Sequence, residues 1–298
     1  MQHIFAATDL SGLSLHAVDR SLQLAQTTGA RCTVMHALGL DALGPLRNLL
    51  GDKADAATRQ IAEHQRAALE ALVQQPARKH GVQPALHIEP GLAASTVPDC
   101  AARAQADLIV IGAKGESVVR RHLLGSTASR LLRKSHSSVL VVKRACKAPY
   151  RRVLVPVDFS ASSAATITLV RQLAPQASLV LLNVFDVPFE GMLQYAGVSQ
   201  SEIHHYRAEA RLKAMQGLNE LARQAGLAPK DVTTVTEHGH AAHHILETAI
   251  RSHCDLIAMG KHGTHVTEEL LLGSVTRQVL SDWEADLLVV IDPHTPQG

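Results

Sequence analysis

Two short glycine patterns carry the chemistry of this chain. Gly112-Ala-Lys-Gly115 is followed, after nine residues, by Gly125-Ser126, and the arrangement returns as Gly260-Lys-His-Gly263 and Gly273-Ser274. A Gly-x-x-Gly turn leaving a buried strand, with Gly-Ser opening the next helix, bares main-chain N–H groups and a helix N-terminus, a combination suited to phosphate. Glycine permits positive φ and lets the backbone approach an anion closely. Asp9 and Asp158 each end an apolar run and are followed two residues later by Ser11 and Ser160. A carboxylate at that place can accept hydrogen bonds from ribose hydroxyls, or cap the helix that follows. Acid and glycine cradle together imply a small anionic ligand with a polar head, a nucleotide.

The elements that must position these residues repeat as well. The two patterns are offset by 148 residues, and at the same offset Glu89 and Gly91 match Glu237 and Gly239, Asp107-Leu-Ile matches Asp255-Leu-Ile, Leu123-Leu124 matches Leu271-Leu272, and Leu140-Val-Val matches Leu288-Val-Val. A fixed internal period means two copies of one unit in tandem. Each copy alternates short β-branched runs with longer Ala/Leu-rich amphipathic segments, which predicts βαβ units and a parallel sheet. Strands are expected at 3–8, 32–37, 85–89, 108–112 and 139–142, and again at 152–157, 179–184, 233–237, 256–260 and 287–291. Helices are expected at 13–28, 54–80, 95–105 and 126–134, then 161–173, 201–225, 241–252 and 274–282. The first and last strands of each copy are nearly free of polar residues, as strands covered on both faces are. In such a sheet ligands sit beyond the carboxyl ends of the strands where the strand order reverses, so the first and fourth strands of each copy would flank the site. Domains of 1–146 and 150–298 are expected, joined by a linker over 144–151 short enough to keep the halves packed together.

Composition narrows the function classes. The chain has 298 residues, a formal net charge of +2 and 3% aromatics. It carries no long basic run or aromatic–basic platform, which argues against nucleic acid. No apolar stretch reaches membrane-spanning length. The four cysteines, Cys32, Cys100, Cys146 and Cys254, form no CxxC pair and read as reduced thiols. Met1-Gln-His-Ile-Phe runs straight into a strand without a leader pattern, so a cytoplasmic protein is expected.

Gly-x-x-Gly, nine residues, then Gly-Ser/Thr, with Asp after strand one and Val-Val in strand five, resembles the universal stress proteins, and the resemblance covers nearly the whole chain. It implies two tandem doubly wound five-stranded parallel sheets, adenine-nucleotide-binding and Rossmann-like, with strand order 3-2-1-4-5. It implies ATP, with or without Mg, as the cofactor, and a stress-response role. The second half is the closer match. Pro156, Val157 and Asp158 would line adenine and ribose, and Val184 would touch the base. Met259, Gly260, His262 and Gly263 would wrap ribose and phosphates, and Gly273, Ser274, Val275 and Thr276 would bind phosphate oxygens. The corresponding first-half residues are Ala7, Thr8, Asp9, Ala37, Ile111, Gly112, Lys114, Gly115, Gly125, Ser126, Thr127 and Ala128. That half lacks the Thr276 hydroxyl and has Lys114 where His262 stands. Pairing through last strands, common in this family, implies that the halves form an intramolecular pseudo-dimer.

The remaining candidates are weaker. No Walker GxxxxGK[ST] pattern, arginine finger or paired carboxylate is present, so the reading is a nucleotide sensor with little or no turnover and no assigned catalytic residue. A slow ATP hydrolase, with His262, Glu268 and Glu269 as the groups nearest the phosphate loop, is one alternative. A structural tandem with empty clefts is the other. Arg120 and Arg121 either add charge near Gly125 or face water. His238, His240, His243 and His244 cluster at one helix start, with His240 and His244 on one face. Zinc held there with His262 is one reading; solvated histidines are the simpler one, and no metal is assigned. The segments 38–53 and 186–200 hold apolar residues and serve as lids, as contacts between halves, or as surfaces for a homodimer.

Overall fold

The computed structural model describes residues 1–39, 53–113, 125–187, 192, 195–196, 198–261 and 272–291, of which 53–58 by backbone alone. Strands β1 (His3–Thr8), β2 (Arg31–Leu38), β3 (Ala85–Pro90), β4 (Leu108–Gly112) and β5 (Ser138–Val142) alternate with helices α1 (Leu15–Thr28), α2 (Lys53–His80), α3 (Ala93–Arg103) and α4 (Ser126–Lys134). The second half repeats the series with β6 (Arg152–Pro156), β7 (Ser178–Phe185), β8 (Val232–His238), β9 (Leu256–Gly260) and β10 (Asp286–Val290). Its helices are α5 (Ala161–Leu173), α6 (Gln200–Gln224), α7 (Ala241–Arg251) and α8 (Ser274–Asp282). The predicted elements recur within a few residues at their ends.

The ten strands form one sheet in the order β3-β2-β1-β4-β5-β10-β9-β6-β7-β8. Each half is parallel with the 3-2-1-4-5 order, and the halves meet at a single antiparallel seam where Leu287, Leu288 and Val289 pair with Val141, Leu140 and Val139. All five residues of β5 and of β10 are buried, which is why each run, after Ser138 or Asp286 at its head, is continuously apolar rather than alternating. The two halves are thus an intramolecular pseudo-dimer. The repeated Asp107 and Asp255 have a structural account. Asp107 Oδ2 accepts from the amides of Gln2 and His3 at 2.5 and 2.9 Å, and Asp255 accepts from Arg151 and Arg152 at 2.8 and 3.2 Å. Each pins the start of its half's first strand beside the fourth.

A buried polar knot ties the seam to the linker. Asp286, at the head of β10, accepts from the amides of Lys143 (2.8 Å) and Arg144 (3.2 Å) and from the Tyr150 hydroxyl (2.6 Å). Arg20 of α1 lies 3.5 Å from the same carboxylate and stacks over the Tyr150 ring at 4.1 Å. Burial, and then the Asp286 charge, hold the Tyr150 phenol well above its ordinary pKa, so it stays a donor. Two lysines cross the seam in opposite directions. Lys143 Nζ donates to the carbonyls of Leu280 (2.6 Å) and Trp283 at the end of α8. Lys261 Nζ donates to those of Arg133 (2.9 Å) and Ser135 (3.3 Å) at the end of α4. A cation on a helix C-terminus is worth about 0.3–1 kcal/mol, and up to ~2 kcal/mol when partly buried.

All four cysteines are free and buried. Burial pushes the Cys32 thiol up to about 11 and the Cys254 thiol up to about 12. Unfolded thiols ionise near 9, so this contribution to stability is complete below pH 9 and is lost between 9 and about 12. A disulfide-exchange reagent at pH 8 is therefore expected to react fast with four thiols in guanidinium and slowly with the folded chain. Rapid labelling of all four in the folded state would contradict the burial described.

Candidate functional site

A cleft opens in each half at the carboxyl end of the sheet, between the first and fourth strands where the strand order reverses. The second cleft, of about 480 Å³, is lined by Pro156, Val157, Asp158, Val184, Met259, Gly260, Gly273, Ser274, Val275 and Thr276. The first, of about 290 Å³, is lined by Ala7, Thr8, Asp9, Ala37, Ile111, Gly112, Gly125, Ser126, Thr127 and Ala128. These are the residues named from the repeat, brought together from the ends of three strands and the start of one helix. Lys114, Gly115, His262, Gly263, Glu268, Glu269, Arg120 and Arg121 lie outside the described residues.

The acid loops are built alike. Asp158 Oδ1 accepts from the amide and hydroxyl of Ser160 (3.0 and 2.5 Å) and from the Ser163 hydroxyl (2.8 Å). Asp9 Oδ1 accepts from the amide and hydroxyl of Ser11 (3.1 and 2.6 Å). Neither Asp is the N-cap: Ser14 and Ser160 occupy those positions. Oδ1 of Asp158 braces the loop, while Oδ2 has no hydrogen-bond partner among the described residues and stands as an acceptor at an exposed position. Immediately after each Asp the chain takes a left-handed turn without glycine, at Leu10 (φ 66°) and Phe159 (φ 61°). A bulky residue there is strained by about 1–3 kcal/mol and persists only where its surroundings over-determine it. Gln105 and His253 (φ 52° each), ahead of the fourth strands, repeat a positive φ in the same way, so the recurrence belongs to the repeat as a whole.

The carbonyl ends of the first strands are anchored by different side chains. His36 Nδ1 donates to the Thr8 carbonyl at 2.9 Å, and Asn183 Nδ2 donates to the Val157 carbonyl at 2.7 Å. Both residues line their clefts. The Thr8 hydroxyl is internal to the first loop: it accepts from Leu10 N–H at 3.0 Å and pairs with Ser14 at 2.7 Å.

The glycine loops close identically at their ends. Gly125 N–H donates to Ala113 O at 2.9 Å, and Gly273 N–H to Lys261 O at 3.1 Å. Ala113 and Lys261 in turn donate to Val142 and Val290 at 2.9 and 2.8 Å. Helices α4 and α8 begin at Gly125 and Gly273 with no side-chain cap, so their leading N–H groups are left to whatever enters the cleft. Positive φ is not why these caps are glycine. Their φ values are −58° and −53°, open to any residue, so the missing Cβ is what matters. Positive φ instead falls on Gly91 (136°) and Gly239 (119°), which turn the third strands into α3 and α7. The buried Thr276 hydroxyl donates to Gly260 O at 3.1 Å, tying the first turn of α8 to the end of β9.

Sequence reasoning missed the walls contributed by those helices. Ala93 and Val97 line the first cleft, and Ala241 and Ile245 the second. The signal was available: each pair is spaced i, i+4, lies at the 148-residue offset and follows the repeated glycine. The histidine segment gathers less than it promised. His240 caps α7, its Nδ1 accepting from His243 N–H at 3.4 Å, and among the described residues no three of His238, His240, His243 and His244 bring ligand atoms together. Among the described residues no helix is long and apolar enough to cross a membrane.

A doubly wound α/β unit with an acid loop and an uncapped helix opening on one switch-point cleft, present twice, defines a tandem Rossmann-like protein. The universal stress protein family model matches residues 1–143 and again 149–290, and the chain belongs to that family. A Mycobacterium tuberculosis universal stress protein is 26% identical over 195 residues, 64% of this chain and 61% of that relative's length. A Methanocaldococcus jannaschii universal stress protein is 28% identical over 156 residues, 47% of this chain and 94% of its own. The match thus spans about three fifths of the mycobacterial relatives. A crystal structure of an Archaeoglobus fulgidus universal stress protein superposes with a TM-score of 0.67 over 97% of both chains at 18% identity, a likeness of fold.

Proposed function

We propose that residues 1–146 and 150–298 are two adenine-nucleotide-binding units, and that the chain is a cytoplasmic nucleotide sensor that holds ATP with little or no turnover. The observation that carries this reading is the convergence, in one cleft, of Asp158 Oδ2 from β6, the end of β9 at Gly260, and the uncapped start of α8. The carboxylate accepts from ribose hydroxyls. The apolar wall of Val184, Ile245 and Met259 takes the base. The amides of Ser274, Val275 and Thr276, at the positive end of α8, take phosphate oxygens. With magnesium bound, the metal neutralises part of the phosphate charge.

The second cleft is the stronger site. Its volume falls within the range of about 300–1,000 Å³ usual for small-molecule sites, and the first falls at the lower edge. Among the described residues lining the second cleft, Asp158 is the only ionisable one, and the first adds only Asp9 and His36. None of those residues is the lysine or arginine that would steady the charge on a γ-phosphate during hydrolysis. Equilibrium binding of ATP to nucleotide-freed protein, followed by a phosphate-release assay on the same sample, tests the reading. Saturable binding with negligible release is expected. Multiple-turnover release lost in His262→Ala would make the chain a hydrolase, and absence of binding would leave a structural tandem.

A further inference from the structure

The two halves share one ion pair on the outer strand and the third helix. Glu89 of β3 meets Arg103 of α3 at 3.3 Å, and Glu237 of β8 meets Arg251 of α7 at 2.8 Å. Two of the positions at which the halves differ around this common pair bear on metal binding. Where the second half has Val235 and Thr248, the first has His87 and Cys100. Both replacements add a metal-ligating atom on the same side of the same carboxylate. His87 Nε2 lies 3.0 Å from Glu89 Oε2, Cys100 Sγ lies 4.0 Å from His87 Nε2, and the three ligand atoms all lie within 4.8 Å of one another. Ligands at about 2.0–2.3 Å from a tetrahedral zinc stand roughly 3.3–3.7 Å apart, so shifts of some tenths of an ångström to about 1 Å bring the three onto one ion.

We propose that His87 Nε2, Glu89 Oε2 and Cys100 Sγ form a zinc-type divalent-cation site in the first half, with water completing the tetrahedron. Thiolate with imidazole selects a borderline-soft ion, whereas Mg²⁺ and Ca²⁺ take oxygen ligands. Access suits the role: Cys100 is buried at the base, and the His87 side chain is 42% exposed at the mouth. In the metal-free chain the Arg103 guanidinium stands in for the cation, donating to Cys100 Sγ at 2.9 Å and to Glu89 Oε1 at 3.3 Å. Arg103 is 62% exposed, so an entering ion displaces it into solvent. The Cys100 thiol releases its proton to water, and the Nε2 hydrogen of His87 moves to Nδ1 or to solvent, leaving two lone pairs and a carboxylate for the metal. The site adjoins the first cleft. Glu89 pairs in register with Ala37, and Cys100 lies one turn beyond Val97, both cleft residues.

A second trio, Asp19, His80 and Cys146, is equally close but differently committed. Lys79 Nζ holds both Asp19 oxygens at 2.8 and 3.1 Å, His80 holds one at 2.7 Å, and His80 and Cys146 are enclosed. That trio binds α1, α2 and the linker together.

The test uses the full chain, purified without a histidine tag, stripped with chelator under a non-thiol reductant and titrated with Co²⁺ and then with competing Zn²⁺. One equivalent is expected to bind with a thiolate-to-cobalt charge-transfer band in the near ultraviolet. Cys100→Thr should abolish the band, and His87→Val should weaken binding more than about 100-fold, beyond the loss typical of an outer-shell partner. Both substitutions import the residue the second half already carries at that place, so folding is retained, as circular dichroism will check. Cys146→Ser should leave the band intact. No cobalt–thiolate band in the wild-type chain, a band that survives Cys100→Thr, or one lost in Cys146→Ser would each overturn the assignment. The readout needs no nucleotide, so it stands or falls apart from the proposed nucleotide clefts.

Discussion

Gly273→Val is expected to weaken ATP binding at the second cleft by more than tenfold, over about 1.4 kcal/mol, while the chain stays folded. Gly273 lines the cleft and caps α8 with φ −53° and ψ 148°. An L-residue adopts that backbone without strain, so the substitution acts through its side chain. The added isopropyl group occupies the space a phosphate needs and keeps it from the amides of Ser274 and Val275. Valine is also a poor N-cap, which costs about 1 kcal/mol of helix stability, small against a whole domain. Calorimetry reads the affinity, and a melting curve shifted by only a few degrees excludes unfolding as the cause. Unchanged affinity would remove α8 from the site.

Asp286→Ala should be the most damaging single substitution to stability. It removes the acceptor for two amides and the Tyr150 hydroxyl and strands the buried Arg20 guanidinium. Breaking one partner of a buried ion pair costs about 3–5 kcal/mol, which corresponds to a fall in Tm of roughly 10 °C in a chain of this size. The loss should be non-additive with Arg20→Met, because the double variant no longer holds an uncompensated charge. A single-variant loss below ~1 kcal/mol would show that the seam rests on β5–β10 packing and the two crossing lysines rather than on Asp286. Because Asp286 heads β10 and its amide partners lie just beyond β5, thermal melting of the single variant should also lose cooperativity between the halves.

Much of this fold could be read from the repeat. The burial of β5 and β10 follows from Leu140-Val-Val and Leu288-Val-Val, and the clefts follow from acid and glycine placed at strand ends 148 residues apart. Other features depend on three-dimensional neighbours that no spacing records. Asp286 looks like a stray acid before an apolar strand, yet it anchors the seam through groups more than a hundred residues away. Lys261 sits in a phosphate-loop pattern, but its ammonium reaches the carbonyls of α4 in the other half. The zinc-type trio was hidden for a similar reason. His87 and Glu89 point from one strand and Cys100 from the following helix, a spacing outside the short motifs that betray metal sites. The histidine-rich stretch 238–244 was the louder signal and gathers no such set among the described residues.

The reading stands or falls on whether a nucleotide lies in these clefts. The most direct measurement is a crystal structure of the chain grown with saturating Mg·ATP. The account predicts density in the second cleft with the base against Val184 and Ile245, a ribose hydroxyl on Asp158, and phosphate oxygens at hydrogen-bonding distance from the amides of Ser274 and Val275. Both clefts holding only solvent under those conditions, with no heat of binding in solution, would contradict it.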